Sequence, residues 1–122
     1  MESIEEFTLE GRNFIYINVS GLIKNKKFTE IAEKVISVVG KYPEASLYTI
    51  ADIKNIRFDT KSKKDVAEFI EKNKIYVKHS VIIGLDGIKK IFVNEILKMS
   101  GLENTNYAFS KEKAVEWLLE RN

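Results

Sequence analysis

In "IEEFTLEGRNFIYINVSG" apolar residues, many of them β-branched or aromatic, gather on both sides of Gly11, more densely after it than before. Two such β-leaning segments around a glycine read as paired strands. Ile4 to Leu9 and Phe14 to Val19 are therefore predicted to form a β-hairpin with a short loop. The pattern then changes. From Asn25 to Val39, Phe28, Ile31, Ala32, Val35, Val38 and Val39 recur at helical spacing, with Gly40 as cap and Pro43, the only proline, just beyond. Ser46 to Asp52 reads as a strand. In "SKKDVAEFIEKN" the segment Lys63 to Asn73 reads as a helix, with Ser62 and Asp65 at capping-box spacing and Val66, Phe69 and Ile70 facing inward.

The strand "SVIIGL" then leads into a helix from Gly87 to Met99, closed by Gly101. Ile88, Ile91, Phe92, Ile96 and Met99 are predicted to face inward there, with Lys89 and Lys90 more outward. A short strand, "NYAF", precedes a last helix capped by Ser110, whose apolar side is Ala114, Val115, Trp117, Leu118 and Leu119. The order is ββαβαβαβα. After the hairpin, each strand-helix-strand step is long enough for a right-handed crossover. The expectation is an α/β fold in one domain, residues 1–122, with a mixed sheet of about five strands and about four helices.

Composition narrows the class. With 122 residues, 44% hydrophobic and 31% charged, the chain has the balance of a soluble single-core domain. No cysteine is present, which excludes disulfides, thiolate nucleophiles and zinc-thiolate sites. Apolar runs are broken by charge well short of a membrane span, and Glu2, Glu5, Glu6 and Glu10 stand where a signal peptide would be basic and then apolar. A cytoplasmic protein, not integral to a membrane, is expected. A net charge of +2 is too small to argue for nucleic acid. Residues 54–90 nevertheless hold ten Lys or Arg against five acids, a block that solvates helix faces or meets an acidic partner, a phosphate or an anionic surface.

Candidate chemistry is sparse. His79 is the only histidine, too little for a relay or a metal site, and is expected to be exposed or hydrogen-bonded at a strand entrance. Asp52 and Asp59 read as posts at a strand end and before a helix. Tyr16, Tyr48 and Tyr76 on strands and Trp117 on a helix read as core or rim residues. The turn "GLDGIKK" carries Gly84, Gly87, Lys89 and Lys90, but neither the Walker spacing nor G-x-G-x-x-G. Asp86 sits where an anion would be repelled and where an Asp caps a helix. Parallel sheets place their sites at strand carboxyl ends, so Asp52, Gly84 and Asp86 are expected near one edge.

Three segments carry a resemblance: "IADIKNIRFD" (Ile50 to Asp59), "YVKHSVIIGLDGIKKIFVN" (Tyr76 to Asn94) and "AFSKEKAVEWLL" (Ala108 to Leu119). Over residues 13–120 the chain resembles the SpoIIAA-like proteins, a branch of the STAS superfamily with a SEC14-like fold. The resemblance implies a mixed sheet with packed helices and a regulatory or binding role without catalysis or cofactor. STAS domains that antagonise anti-sigma factors are phosphorylated in an Asp-Ser-Ser-Gly-like turn. The matching region here is "FDTKSKKD", where Asp59 fits but Lys61 occupies the phosphoacceptor position and Ser62 replaces the glycine. Thr60 and Ser62 are chemically competent acceptors, although helix capping accounts for both.

The expectation is a non-enzymatic interaction domain that binds a protein partner through Asp52, Asp59, Lys63, Gly84, Asp86, Gly87, Lys89 and Lys90. The alternative is a carrier or sensor of a small lipid-like or anionic ligand, a nucleotide or phosphate. Self-association as a homodimer is compatible with either.

Overall fold

The computed structural model describes residues 3–19, 21–22, 25–54, 56–57 and 62–121. Strands β1 (Ser3–Leu9) and β2 (Arg12–Asn18) form the expected hairpin, antiparallel from Ser3↔Asn18 to Leu9↔Arg12. Its two-residue turn puts Glu10 at φ 49° and Gly11 at φ 73°. Two successive left-handed residues match the right-handed twist of the flanking strands.

A two-residue strand, β3 (Gly21–Leu22), and helix α1 (Asn25–Val39) follow. Next come β4 (Leu47–Asp52), β5 (Ile56–Arg57), α2 (Ser62–Asn73) and a 3-10 turn over Lys74–Tyr76. Strand β6 (Val77–Ile83), α3 (Gly87–Ser100), β7 (Thr105–Ala108) and α4 (Lys111–Leu119) complete the chain. The main sheet runs β1-β2-β4-β6-β7, with every pair after the hairpin parallel. The fold is the mixed five-stranded α/β sheet with four helices that the pattern predicts. The small parallel β3–β5 ladder was not expected, because two-residue strands leave no periodic signal. Tyr76, expected on a strand, instead closes the 3-10 turn, and β6 starts three residues earlier than Ser80.

Strand alternation sends side chains to two faces. On one, Phe14, Tyr48, Ile50, Val81 and Ile83 pack against Ala114 and Leu118 of α4. On the other, Ile15 and Leu47 pack against Ile31, Val35 and Val39 of α1, with Phe69 of α2 beside them. Val93 of α3 meets Ile53 and Ile56 farther along this same side. One helix thus covers one face and three cover the other. Arg12 fastens the lone helix by donating from Nη1 to the carbonyls of Leu118 (2.8 Å) and Leu119 (2.9 Å). These carbonyls lie in the last turn of α4, where the regular helical ladder runs out, and Leu118 O also accepts from Arg121 N at 3.2 Å.

Candidate functional site

All four parallel strands end on one edge, at Asn18, Asp52, Ile83 and Ala108. Just beyond it the loop after β4 closes on the turn after β6. Ile53 N donates to Ile83 O at 2.9 Å. Gly84 has φ +92°, and a Cβ there would lie 2.4 Å from Lys54 Cγ and 2.6 Å from Lys54 N. Glycine is required at 84 because another backbone passes against it. Gly87 is different, since a Cβ would meet nothing within 4 Å.

Asp86 is the N-cap of α3, its Oδ1 accepting from Lys89 N at 3.0 Å. Its carboxylate occupies the place an anion would take at a helix start. The Gly84–Gly87 turn is thus a capped joint between strand and helix. Lys89 is half-buried, whereas Lys90 is exposed with its Nζ 5.4 Å from the Tyr107 ring centroid. Tyr107 Oη donates to Asn94 Oδ1 at 2.7 Å, and burial raises the Tyr107 pKa.

Asp52 lies at the edge but not on its surface. It is 3% exposed and accepts from Tyr16 Oη at 2.6 Å and from Lys54 N at 3.1 Å, with Lys54 Nζ 3.6 Å away. Desolvation, and then the bond to Asp52, pushes the Tyr16 hydroxyl pKa up to about 12. The carboxylate thus joins Lys54 of the β4–β5 loop to Tyr16 of β2. Lys63 pairs with Glu95 and lies 5.1 Å from the Phe92 ring centroid, tying α2 to α3. The backbone of Ser62 opens α2. Asp59, Thr60 and the side chains of Phe28 and Ser62 lie outside the described residues.

Two expectations fail. His79 is neither exposed nor hydrogen-bonded at an entrance: it is half-buried within β6, between the rings of Tyr48 (5.9 Å) and Trp117 (6.2 Å), and its buried Nδ1 has no hydrogen-bond partner. In α3 the inward face is also displaced. Val93, Ile96 and Ser100 are buried, while Ile88, Ile91 and Met99 are 84%, 66% and 51% exposed. The apolar neighbours of its buried Val93 are Ile53 and Ile56, and its main helix contact is with α2, an arc that does not cover every apolar position on it.

Sequence reasoning also missed Phe109, which is 97% exposed immediately after β7. With Leu85, Lys90, Tyr107 and Gly84 it lines a cleft of about 250 Å3 at the strand ends. The available signal was positional: Phe109 directly follows a parallel strand and directly precedes the Ser110 cap, where the chain leaves the sheet. Among the described residues no group of three or more His, Asp or Glu could hold a metal ion, and no helix is long and apolar enough to cross a membrane.

No protein-family model and no curated protein sequence matches the chain. Solved structures do. An uncharacterised protein of the DUF3478 family with a SpoIIAA-like fold, from Shewanella loihica PV-4, superposes with a TM-score of 0.75 at 13% identity over 96% of this chain and 93% of that one. An anti-sigma factor antagonist from Mycobacterium paratuberculosis superposes at 0.60 with 16% identity, covering 98% and 95%. The anti-sigma factor antagonist SpoIIAA in its unphosphorylated form superposes at 0.62 with 13% identity, covering 98% and 99%. Superposing on these structures over nearly the whole length of both chains, this chain has the SpoIIAA-like fold.

Proposed function

We propose that the protein is a non-enzymatic, STAS-like regulatory domain that binds a protein partner at the carboxyl edge of its sheet. The observation that carries this reading is the exposure of Ile88, Ile91 and Phe109 around that edge. Three large apolar side chains, each more than half exposed, give a surface that gains by burial against another protein. Lys90 stands between the α3 ridge and the Tyr107–Phe109 cleft, so a matching partner would place a carboxylate beside an apolar seat. Two structures of the same fold belong to anti-sigma factor antagonists, which supports a regulatory role exercised through protein contacts.

Asp86, Gly84 and Lys63 support this surface from behind. Asp86 caps α3 and so fixes where Ile88 and Ile91 project, while Gly84 lets the β4–β5 loop close against the same turn. Lys63 and Glu95 link α2 to the outer side of α3. The test is affinity isolation with quantitative mass spectrometry, using the wild type and an Ile88→Asp/Phe109→Asp variant in the native host. A protein retained stoichiometrically by the wild type and lost from the folded variant supports the reading. Equal retention by both moves the interface elsewhere, and no stoichiometric protein with the wild type removes the reading.

A further inference from the structure

On the face covered by three helices, the sheet and helices leave an apolar pocket of about 160 Å3. Its floor is one cross-strand row, Ile17↔Ala51↔Ile82, in which the middle strand contributes only a methyl group. Val66, Phe69 and Ile70 of α2 also line it, between Ile31 and Val35 of α1 and Val93, Ile96 and Leu97 of α3. The opposite face of the same strands is filled. There the rows Phe14↔Tyr48↔His79 and Tyr16↔Ile50↔Val81 put bulk at every position beneath α4. The hollow therefore has a specific origin: a small residue at the centre of a row whose neighbours are isoleucines.

Every described residue that lines the pocket is Ala, Val, Ile, Leu or Phe. Water in such a space finds none of the two to four polar partners it needs, and cavities of about 150 Å3 lined by Leu, Ile and Phe stay dry and take up benzene or xenon. Protein interiors seldom keep voids larger than a water molecule, because the lining atoms lose dispersion contacts. A nonpolar guest restores those contacts. A polar or anionic ligand would be left without a hydrogen-bond partner among these side chains.

We infer that this pocket is a binding site for a compact nonpolar molecule, a single small ring or a short alkyl chain, seated on Ala51 beneath α2. The site is on the helix-covered face and shares no lining residue with the Phe109 cleft. It goes beyond the partner-binding reading, and either can fail without the other.

The experiment is a titration of the full chain, 13C-labelled at Ile and Val methyls, with benzene and separately with n-hexane, followed by NMR. Saturable shifts at Ile17, Ile82, Val66 and Ile70, with Val81 and Ile83 on the α4 face unmoved, are expected for at least one probe. In Ala51→Leu, whose side chain fills the floor, the affinity for that probe should fall at least tenfold. Val66→Phe, which fills the site from α2, serves if Ala51→Leu does not fold. Absence of saturable shifts with both probes, equal shifts on the two faces, or undiminished binding in the folded filled variant would each overturn the inference.

Discussion

Tyr16 Oη donates a 2.6 Å hydrogen bond to Asp52 Oδ2, joining the carboxyl ends of two neighbouring strands. The carboxylate is almost wholly buried, so losing this donor leaves part of its desolvation uncompensated. Tyr16→Phe should cost about 1–3 kcal/mol, read as a lower urea midpoint with an unchanged slope. A variant as stable as the wild type would mean that the Lys54 contacts alone satisfy Asp52.

The same pair gives a pH dependence. The Tyr16 pKa rises from 10.0 to about 12 in the fold, so above pH 10 the unfolded chain loses a proton that the folded chain keeps. Stability from this group is complete below pH 10 and is lost as pH rises toward 12. The wild-type stability should therefore fall more steeply than that of Tyr16→Phe between these values. Parallel curves would show that the hydroxyl titrates alike in both states.

Gly84 and Gly87 should respond oppositely to alanine. At 84 the new methyl meets Lys54 backbone and the φ is positive, so Gly84→Ala should cost more than about 1 kcal/mol. At 87 the space is open and the residue is helical, so Gly87→Ala should be neutral or stabilise by up to about 1 kcal/mol. Thermal denaturation of both variants checks the pair. Equal effects would contradict the close packing of Lys54 on the turn.

Arg12 bonds two terminal carbonyls of α4 and lies 5.2 Å from the Tyr48 ring centroid. Arg12→Ala should destabilise by about 1–3 kcal/mol, with faster amide exchange in α4 than in α1. Lys can supply only a single point charge, so Arg12→Lys should recover less than half of the loss. Full recovery would reduce the role of Arg12 to its charge.

Ile88→Asp and Ile91→Asp decide how α3 faces. Because both positions are exposed, each substitution should change stability by no more than about 0.5 kcal/mol. Val93→Asp, on the buried side, should leave little folded protein. If Ile88→Asp were as damaging as Val93→Asp, the helix would be rotated toward the orientation its apolar spacing first suggests.

Caps and element types were legible along the chain because they depend on residues within a turn of one another. Asp86 accepts from Lys89 N and Ser110 from Lys113 N, each three residues on, and Gly101 N closes α3 on Leu97 O. β-leaning runs and helical spacing are equally local, which is why the hairpin and the βα order are legible in the sequence. The features that shape the candidate sites join distant residues. Tyr16 and Asp52 are 36 positions apart, and Arg12 and Leu118 are 106 apart. The inward face of α3 depends on how wide a surface the sheet and α2 offer it, and its apolar positions exceed that surface. The pocket exists because Ala51 falls between Ile17 and Ile82 across three strands, a coincidence of register that only packing creates. Local hydrogen bonding and periodicity thus determine the elements, while burial, set by which distant surfaces meet, decides which side chains remain free to bind.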